Sequence, residues 1–354
     1  MKKKFYLSVI SSLVLASTTP NAQAEPLPQE FSMQNVTVTE QWDKTFKLSD
    51  KVVHQKVQFH NRYGITLVGD LYIPKNKDGK LSALAISGPF GAVKEQSSGL
   101  YAQNLAERGF ITLAFDPSFT GESGGSPRNI ASPDIDTEDF SAAIDYLLNR
   151  DDVDQDRVGI LGICGFGGFA INAAAVDTRI KATVASTMYD MSRVTAYGYN
   201  DINDADARYQ MRERLNEQRT IDYKNNSYAM AGGNPDVLPK DAPQFLKDYW
   251  DYYKTSRGYH KRSLNSNEGW TVTSNLSLAN AKLLAFADEI RSPVLMIHGE
   301  NAHSRYFSET VFKKLKGENK ELMIIEGTNH VDLYDRLDKI PFEKIADFYK
   351  KSFK

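Results

Sequence analysis

From about residue 52 onward, short apolar runs alternate with segments whose apolar positions recur every three to four residues. That alternation predicts strands interleaved with amphipathic helices, an α/β domain with a mostly parallel twisted sheet and helices on both faces. The first pair differs. Residues 52–59 and 65–73, joined by the turn-like 61–64, read as an antiparallel hairpin at one edge. Strands follow at 81–87, 110–115, 157–163, 180–186, 294–298 and 322–326. Helices are expected at 98–108, 137–149, from Gly165 to about residue 176, 305–315 and 341–350. From about 190 to 285 the alternation stops and tyrosines crowd the chain, including Tyr197, Tyr199, Tyr249, Tyr252 and Tyr253. This stretch reads as a helical cap inserted into the domain.

The opening MKKKFYLSVISSLVLASTTPNAQA has Lys2, Lys3 and Lys4, an apolar run from Phe5 to Ala16, and Ala22 and Ala24 in A-x-A spacing. It predicts a cleavable signal peptide at 1–24, a mature chain over 25–354 and a periplasmic or secreted location. The apolar run is shorter than the roughly 20 residues a spanning helix needs, so no membrane span is expected. The net charge of −2 comes without a basic block and argues against nucleic acid as a partner. A small-molecule substrate fits better. The single cysteine, Cys164, has no partner for an internal disulfide and is expected as a free thiol. With histidines scattered outside ligand spacing, no metal and no cofactor are expected.

Cys164 stands between the strand 157–163 and a glycine-rich helix, in LGICGFGG. A thiol at such an elbow points out of the carboxyl edge of the sheet, where open α/β sheets bind ligands. There the helix N-terminus and a nearby imidazole would lower its pKa and supply thiolate near neutral pH. The backbone N–H of Gly165 is free to hold an oxyanion. Phe166 departs from the small residue usual two positions after such a nucleophile. The second oxyanion donor is expected in GPFGAVKEQ, at Phe90 or Gly91, since Pro89 lacks an N–H. Lys94 and Glu95 read as anchors of that loop, and TGESGG, Thr120 to Gly125, as a structural loop near the site.

Elbow nucleophiles of the α/β-hydrolase type are followed in the chain by their acid and then their base. His330, after the last strand, is the expected base, with His303 as competitor. Glu300 is the first carboxylate after the strand VLMIH and is the expected acid, although it precedes the usual position, which Ala302 fills. Asp190 is the alternative.

The stretches GPFGAVKEQ, FDPSFTGESGG, LGICGFGG, AHSRYFSE and HVDLYDR together resemble the dienelactone-hydrolase-like group of the α/β-hydrolases. The resemblance covers most of the mature chain outside the cap. It implies the α/β-hydrolase fold, a nucleophile at Cys164, the base at His330 and an oxyanion loop at GPFG. The expected function is hydrolysis of a carboxylic ester, lactone or thioester through a Cys-His-acid triad and a covalent acyl-enzyme, on a small-molecule acyl substrate. Acyl transfer from the same intermediate is the alternative, as is a non-catalytic binding protein with a degenerate elbow.

Overall fold

The computed structural model describes residues 32–354, so the expected signal peptide lies outside the described residues. An eight-stranded sheet runs in the order β1-β2-β4-β3-β5-β6-β7-β8. Its strands are β1 (Val52–His60), β2 (Thr66–Pro74), β3 (Leu81–Ser87), β4 (Ile111–Phe115), β5 (Val153–Ile163), β6 (Ala182–Ser186), β7 (Val294–Gly299) and β8 (Lys320–Ile325). β1 pairs antiparallel with β2, and β2 antiparallel with β4, while every other pairing is parallel. The α/β-hydrolase fold expected from the sequence is the fold observed. Among the described residues, no helix is long and apolar enough to cross a membrane.

The inner parallel strands β3, β4, β6 and β7 are buried on both faces and read as apolar runs for that reason, whereas the edge strand β8 is half-exposed. One face of the sheet packs under α2 (Pro133–Leu148) and α3 (Gly165–Val176), through Phe115, Phe140, Phe166 and Phe169. The other packs under α1 (Ser97–Ala106) and α10 (Phe342–Ser352), through Tyr101, Phe110, Ile345 and Tyr349. α2 begins four residues earlier than expected: Pro133 is preorganised for a first turn, and the exposed Asp134 there complements the helix dipole. β5 likewise starts at Val153, because Leu81 on β3 pairs with it across a register shift. Residues 190–285 contain α4 (Met191–Tyr197), α5 (Ala205–Asn225), α6 (Gln244–Tyr253) and α7 (Ser274–Asn280), with irregular chain between them.

Register aligns the strand ends. Ser87 lies opposite Gly162, Ile163 opposite Ser186, and Ser186 opposite Ile297. The loops leaving β3, β5, β6 and β7 therefore emerge side by side, and the loop leaving β8 joins them.

Beneath the loop after β3 lies a buried ionic cluster. Lys94 Nζ, fully enclosed, sits 2.7 Å from Asp116 Oδ2, 2.7 Å from Glu122 Oε2 and 2.8 Å from Glu95 Oε1. Burial alone lowers the ammonium pKa, but the surrounding carboxylates overcome it and hold the value well above the ordinary one. Asp116 also accepts from the backbone N–H groups of Lys94 and Glu122, each at 2.8 Å. Arg262, between α6 and α7, reaches Glu95 at 2.8 Å and Asp43 at 2.9 Å. Glu95, Asp116 and Glu122 converge closely enough to suit a cation, and the ammonium of Lys94 is the cation they surround.

Replacing Lys94 with Met should destabilise the protein by about 3–5 kcal/mol, because Asp116 would lose its ion-pair partner while Lys56 and Arg262 stay with Glu95 and Glu122. The Glu122 carboxyl is held down to about 2 by Lys94 and Lys56 despite its burial. Its contribution is therefore complete above the usual carboxylate range and is lost as pH falls through the folded value. Thermal denaturation should show the gap between wild type and Lys94→Met narrowing below about pH 4; a gap independent of pH would contradict this account.

Candidate active site

Cys164 occupies the elbow between β5 and α3 with φ 57° and ψ −125°, a left-handed conformation that costs a side chain about 1–3 kcal/mol and must be enforced by its surroundings. The enforcing bonds are from Cys164 N to Ser186 O at 3.0 Å, and from Gly167 N and Tyr189 N to Cys164 O, each at 2.9 Å. Gly162 makes the turn possible: a Cβ there would lie 2.0 Å from the carbonyl oxygen of Phe166. Phe166, the departure noted in the sequence, turns its ring into the core against Phe140 and Phe169, away from the elbow, and so leaves the nucleophile position clear.

Three hydrogen-bonding groups face Sγ: the Tyr334 hydroxyl and the backbone N–H groups of Gly165 and Phe90. The two backbone groups are the expected oxyanion donors, and the structure brings both to the sulfur. Asn265 Nδ2 donates to Phe90 O at 2.7 Å, and Ser263 Oγ and Asn265 N donate to Gly91 O at 2.9 and 3.0 Å. The chain between α6 and α7 thereby clamps the oxyanion loop.

The expected thiolate is corrected by the structure. Burial pushes the Cys164 thiol up to about 11, and the Tyr334 hydroxyl and the two N–H groups only partly counter it. The helix terminus acts here through single hydrogen bonds, while desolvation acts on the whole thiolate.

His330 is buried at the start of the turn leading to α9 (Asp332–Asp335). Reciprocal bonds between Asn329 and Asp332, each 2.9 Å, set that turn. From α1, Tyr101 ties it to the sheet by hydrogen bonds to Ser186 Oγ at 2.9 Å and Leu333 O at 2.7 Å. His330 Nε2 is 3.0 Å from Tyr334 Oη. His330 Nδ1 is 2.5 Å from Ser304 Oγ and 2.9 Å from Thr187 Oγ1. Thr187 itself has φ 45°, a strained setting for a β-branched residue that turns its hydroxyl onto the imidazole. Burial, then the neighbouring His303 and His298, hold the His330 pKa well below its ordinary value.

Neither carboxylate proposed from the sequence reaches this imidazole. Glu300 is exposed, its Oε2 accepts from Gly327 N at 3.0 Å, and its backbone oxygen accepts from Arg305. It lies in the turn at the end of β7 and faces the chain leaving β8. Asp190 caps α4, accepting from Ser192 Oγ at 2.6 Å and Arg193 N at 3.0 Å. Where the acid was expected, Ser304 bridges His330 to His298, whose Nε2 lies 2.9 Å from Ser304 Oγ and whose Nδ1 lies 2.7 Å from Ser308 Oγ. A base at His330 requires one donor order, which these contacts accommodate: His330 Nδ1–H to Ser304, Ser304 O–H to His298 Nε2, His298 Nδ1–H to Ser308. It leaves His330 Nε2 free to accept a proton.

His303, the competing base, lines the site instead. Its ring stacks on Phe245 at 4.9 Å and stands 5.1 Å from that of His330, and burial lowers its pKa to about 4. Tyr189 and Tyr249 close the remaining sides, with ring centroids 5.7 and 5.5 Å from that of His330. Tyr334, Ser304 and Thr187 were not singled out in the sequence. Only Tyr334 carried a signal there, since it lies four residues after His330 and that spacing shares a helical face.

A model of the X-Pro dipeptidyl-peptidase (S15) family matches residues 63–332. The chain belongs to the S15 family. The uncharacterized protein PA2218 of Pseudomonas aeruginosa is 55% identical over 96% of this chain and 91% of its own length. The crystal structure of PA2218 covers 90% of this chain and 99% of its own, with a TM-score of 0.88. The uncharacterized protein YcjY of Escherichia coli is 35% identical over 80% of this chain and 94% of its own. Thiohydrolase aneE of Aspergillus aculeatus is 30% identical over 39% of this chain and 43% of its own. The α/β hydrolase GrgF of a Penicillium species covers 85% of this chain and 99% of its own with a TM-score of 0.70 and 20% identity, a likeness of fold. These relationships place this S15 member among hydrolase- and acyltransferase-like α/β proteins.

If hydroxyls hold the imidazole, Ser304→Ala should slow acylation of Cys164 by about tenfold or more, as expected when a base loses its orienting partner. Glu300→Gln should stay within about twofold of wild type, since its carboxylate binds elsewhere. Rates of adduct formation followed by mass spectrometry would check both; a collapse in Glu300→Gln alone would restore the carboxylate assignment.

Proposed function

We propose that the protein is an exported cysteine hydrolase, dienelactone-hydrolase-like in its elbow, that cleaves a carboxylic ester, lactone or thioester through an acyl-enzyme on Cys164. The observation that carries this reading is the convergence on one sulfur of an elbow backbone, two free backbone N–H groups and a histidine-bearing loop. His330 is the base that accepts the thiol proton. The sulfur attacks the acyl carbon, and the oxygen that gains charge takes over the N–H groups of Phe90 and Gly165. The leaving group departs with the proton from His330, and water then releases the acid. The groups that bond Sγ and the imidazole are hydroxyls and backbone N–H groups, which suits a neutral acyl group better than an ionic one. The relative named a thiohydrolase supports thioesters as a substrate class. Export rests on the basic, apolar and A-x-A pattern of residues 1–24; N-terminal sequencing of the secreted or periplasmic protein should begin near Glu25.

The mature protein, mixed with p-nitrophenyl esters, acyl thioesters and a Gly-Pro p-nitroanilide, should form a transient acyl adduct on Cys164 with the esters or thioesters. The adduct and turnover should vanish in Cys164→Ala. Turnover of the anilide alone would instead favour the peptidase chemistry in the family's name. Transfer of the acyl group to an added alcohol or amine would mark an acyltransferase, and no adduct with any probe would leave a binding protein.

The pH profile is a further expectation. The thiol loses its proton only near pH 11 and the imidazole gains one only well below its ordinary value. The acylation rate should therefore be nearly flat between about pH 6 and 9, falling in acid as His330 protonates and rising towards pH 11. A bell centred in that range would point to a preformed thiolate–imidazolium pair.

A further inference from the structure

In the resting structure a third residue stands between the base and the nucleophile: His330 Nε2 lies 3.0 Å from Tyr334 Oη, and Tyr334 packs in the same buried cluster as Cys164, with its hydroxyl facing the sulfur. We infer that Tyr334 is a catalytic residue whose hydroxyl carries the proton from Cys164 Sγ to His330 Nε2. The inference rests on the cysteine acyl-enzyme reading and adds to it a carrier that the nucleophile–base–acid scheme lacks.

The hydroxyl is held in place from several sides. The Tyr334 ring is fully buried and packs edge-on against Tyr252 at 5.0 Å and His330 at 5.4 Å. The next residue, Asp335, is gripped by Arg257 at 2.7 Å, and Arg257 also donates to Val331 O. The aromatic packing holds the ring, and the Arg257 clamp holds the short turn that carries it. Beside it, Tyr253 Oη is buried without a hydrogen bond of normal geometry, a polar group facing the same small space.

The donor order already derived for the imidazole extends through this hydroxyl. Sγ–H donates to Oη, Oη–H donates to Nε2, and Nδ1–H continues to Ser304 and His298. When the sulfur attacks, the S–H bond breaks as a new O–H bond forms on Tyr334. The original Tyr334 O–H bond breaks as N–H forms on Nε2, and the S–C bond forms as the carbonyl π pair moves to oxygen. Tyrosine ends as it began, neutral, and the positive charge rests on His330. The reverse shuttle delivers the proton to the departing group. Thiol, phenol and imidazole are all uncharged before the step, since burial raises the first two and lowers the third. Concerted transfer avoids placing an isolated thiolate or phenolate in a buried site.

The test is the burst of p-nitrophenol from p-nitrophenyl acetate in wild type, Tyr334→Phe and Cys164→Ala, with the adduct confirmed by intact mass. Tyr334→Phe keeps the ring and its packing. We expect its acylation rate to fall by about 100-fold, within the range of a lost general acid–base group, with little change in KM. In wild type, the rate plotted against deuterium fraction should curve as two protons in flight require. Acylation of Tyr334→Phe within about threefold of wild type, or a linear wild-type plot reporting one proton, would overturn the relay while leaving Cys164 as nucleophile. No burst in wild type, or turnover surviving in Cys164→Ala, would remove the acyl-enzyme reading and the relay with it. The wild-type isotope measurement decides the matter even if the Phe variant folds poorly.

Discussion

One ammonium group holds the machinery in register. Lys94 lies in the loop that presents Phe90 N–H to the sulfur, and its charge is shared among carboxylates from that loop and from the loop after β4. Arg262 joins the same carboxylates from the chain over the site. A buried charge is costly unless every partner stays in place, so the cluster has no intermediate setting. The loop that carries Phe90 is thus fixed relative to the sheet edge and to the chain above it by carboxylates that Lys94 shares with Lys56 and Arg262. Electrostatic stabilisation of a transition state depends on such fixed dipoles, because donors that must reorganise during the reaction lose most of their effect.

The fold was legible because its signals are local. Apolar runs such as residues 81–87 and 294–298 report burial on both faces, and LGICGFGG reports a crowded turn that admits glycine where a Cβ would strike Phe166. The meeting of Cys164, Gly165, Phe90 and the His330 loop at one edge was legible too, since each follows a strand end. The hydroxyls that hold His330 were not. Ser304 and Thr187 are small hydroxyl residues of a kind found throughout any chain, and what distinguishes them is that two different loops bring them to His330 on a third. Glu300 drew attention because a carboxylate is the usual partner of a catalytic imidazole, yet a shift of one or two residues past β7 turns a side chain to another neighbour. The thiol pKa failed for a related reason: sequence shows the helix terminus beside Cys164 but cannot show how completely the surroundings exclude water.

Replacing a carboxylate by hydroxyls changes the electrostatics of the centre. A buried carboxylate beside His330 would draw positive charge onto the imidazole at rest. Ser304 and Thr187 orient the ring without supplying that charge, and His298 and His303 oppose it. The site is therefore neutral before substrate arrives, and charge appears only while bonds change. The aromatic wall of Tyr189 and Tyr249 is compatible with such a site, whereas a resident ion pair would need compensating polar groups around it.

The buried, protonated state of Cys164 has a bearing on chemical durability. Peroxides and disulfides react with thiolates far faster than with thiols, and they must also reach the sulfur. In the mechanism proposed above the sulfur ionises only in concert with attack on a bound carbonyl, which makes it a poor target for oxidants that bring no such carbonyl. The arrangement that withholds Cys164 from solvent thus acts as a chemical filter, keeping a lone thiol intact where an exposed thiolate would be spent on oxidation.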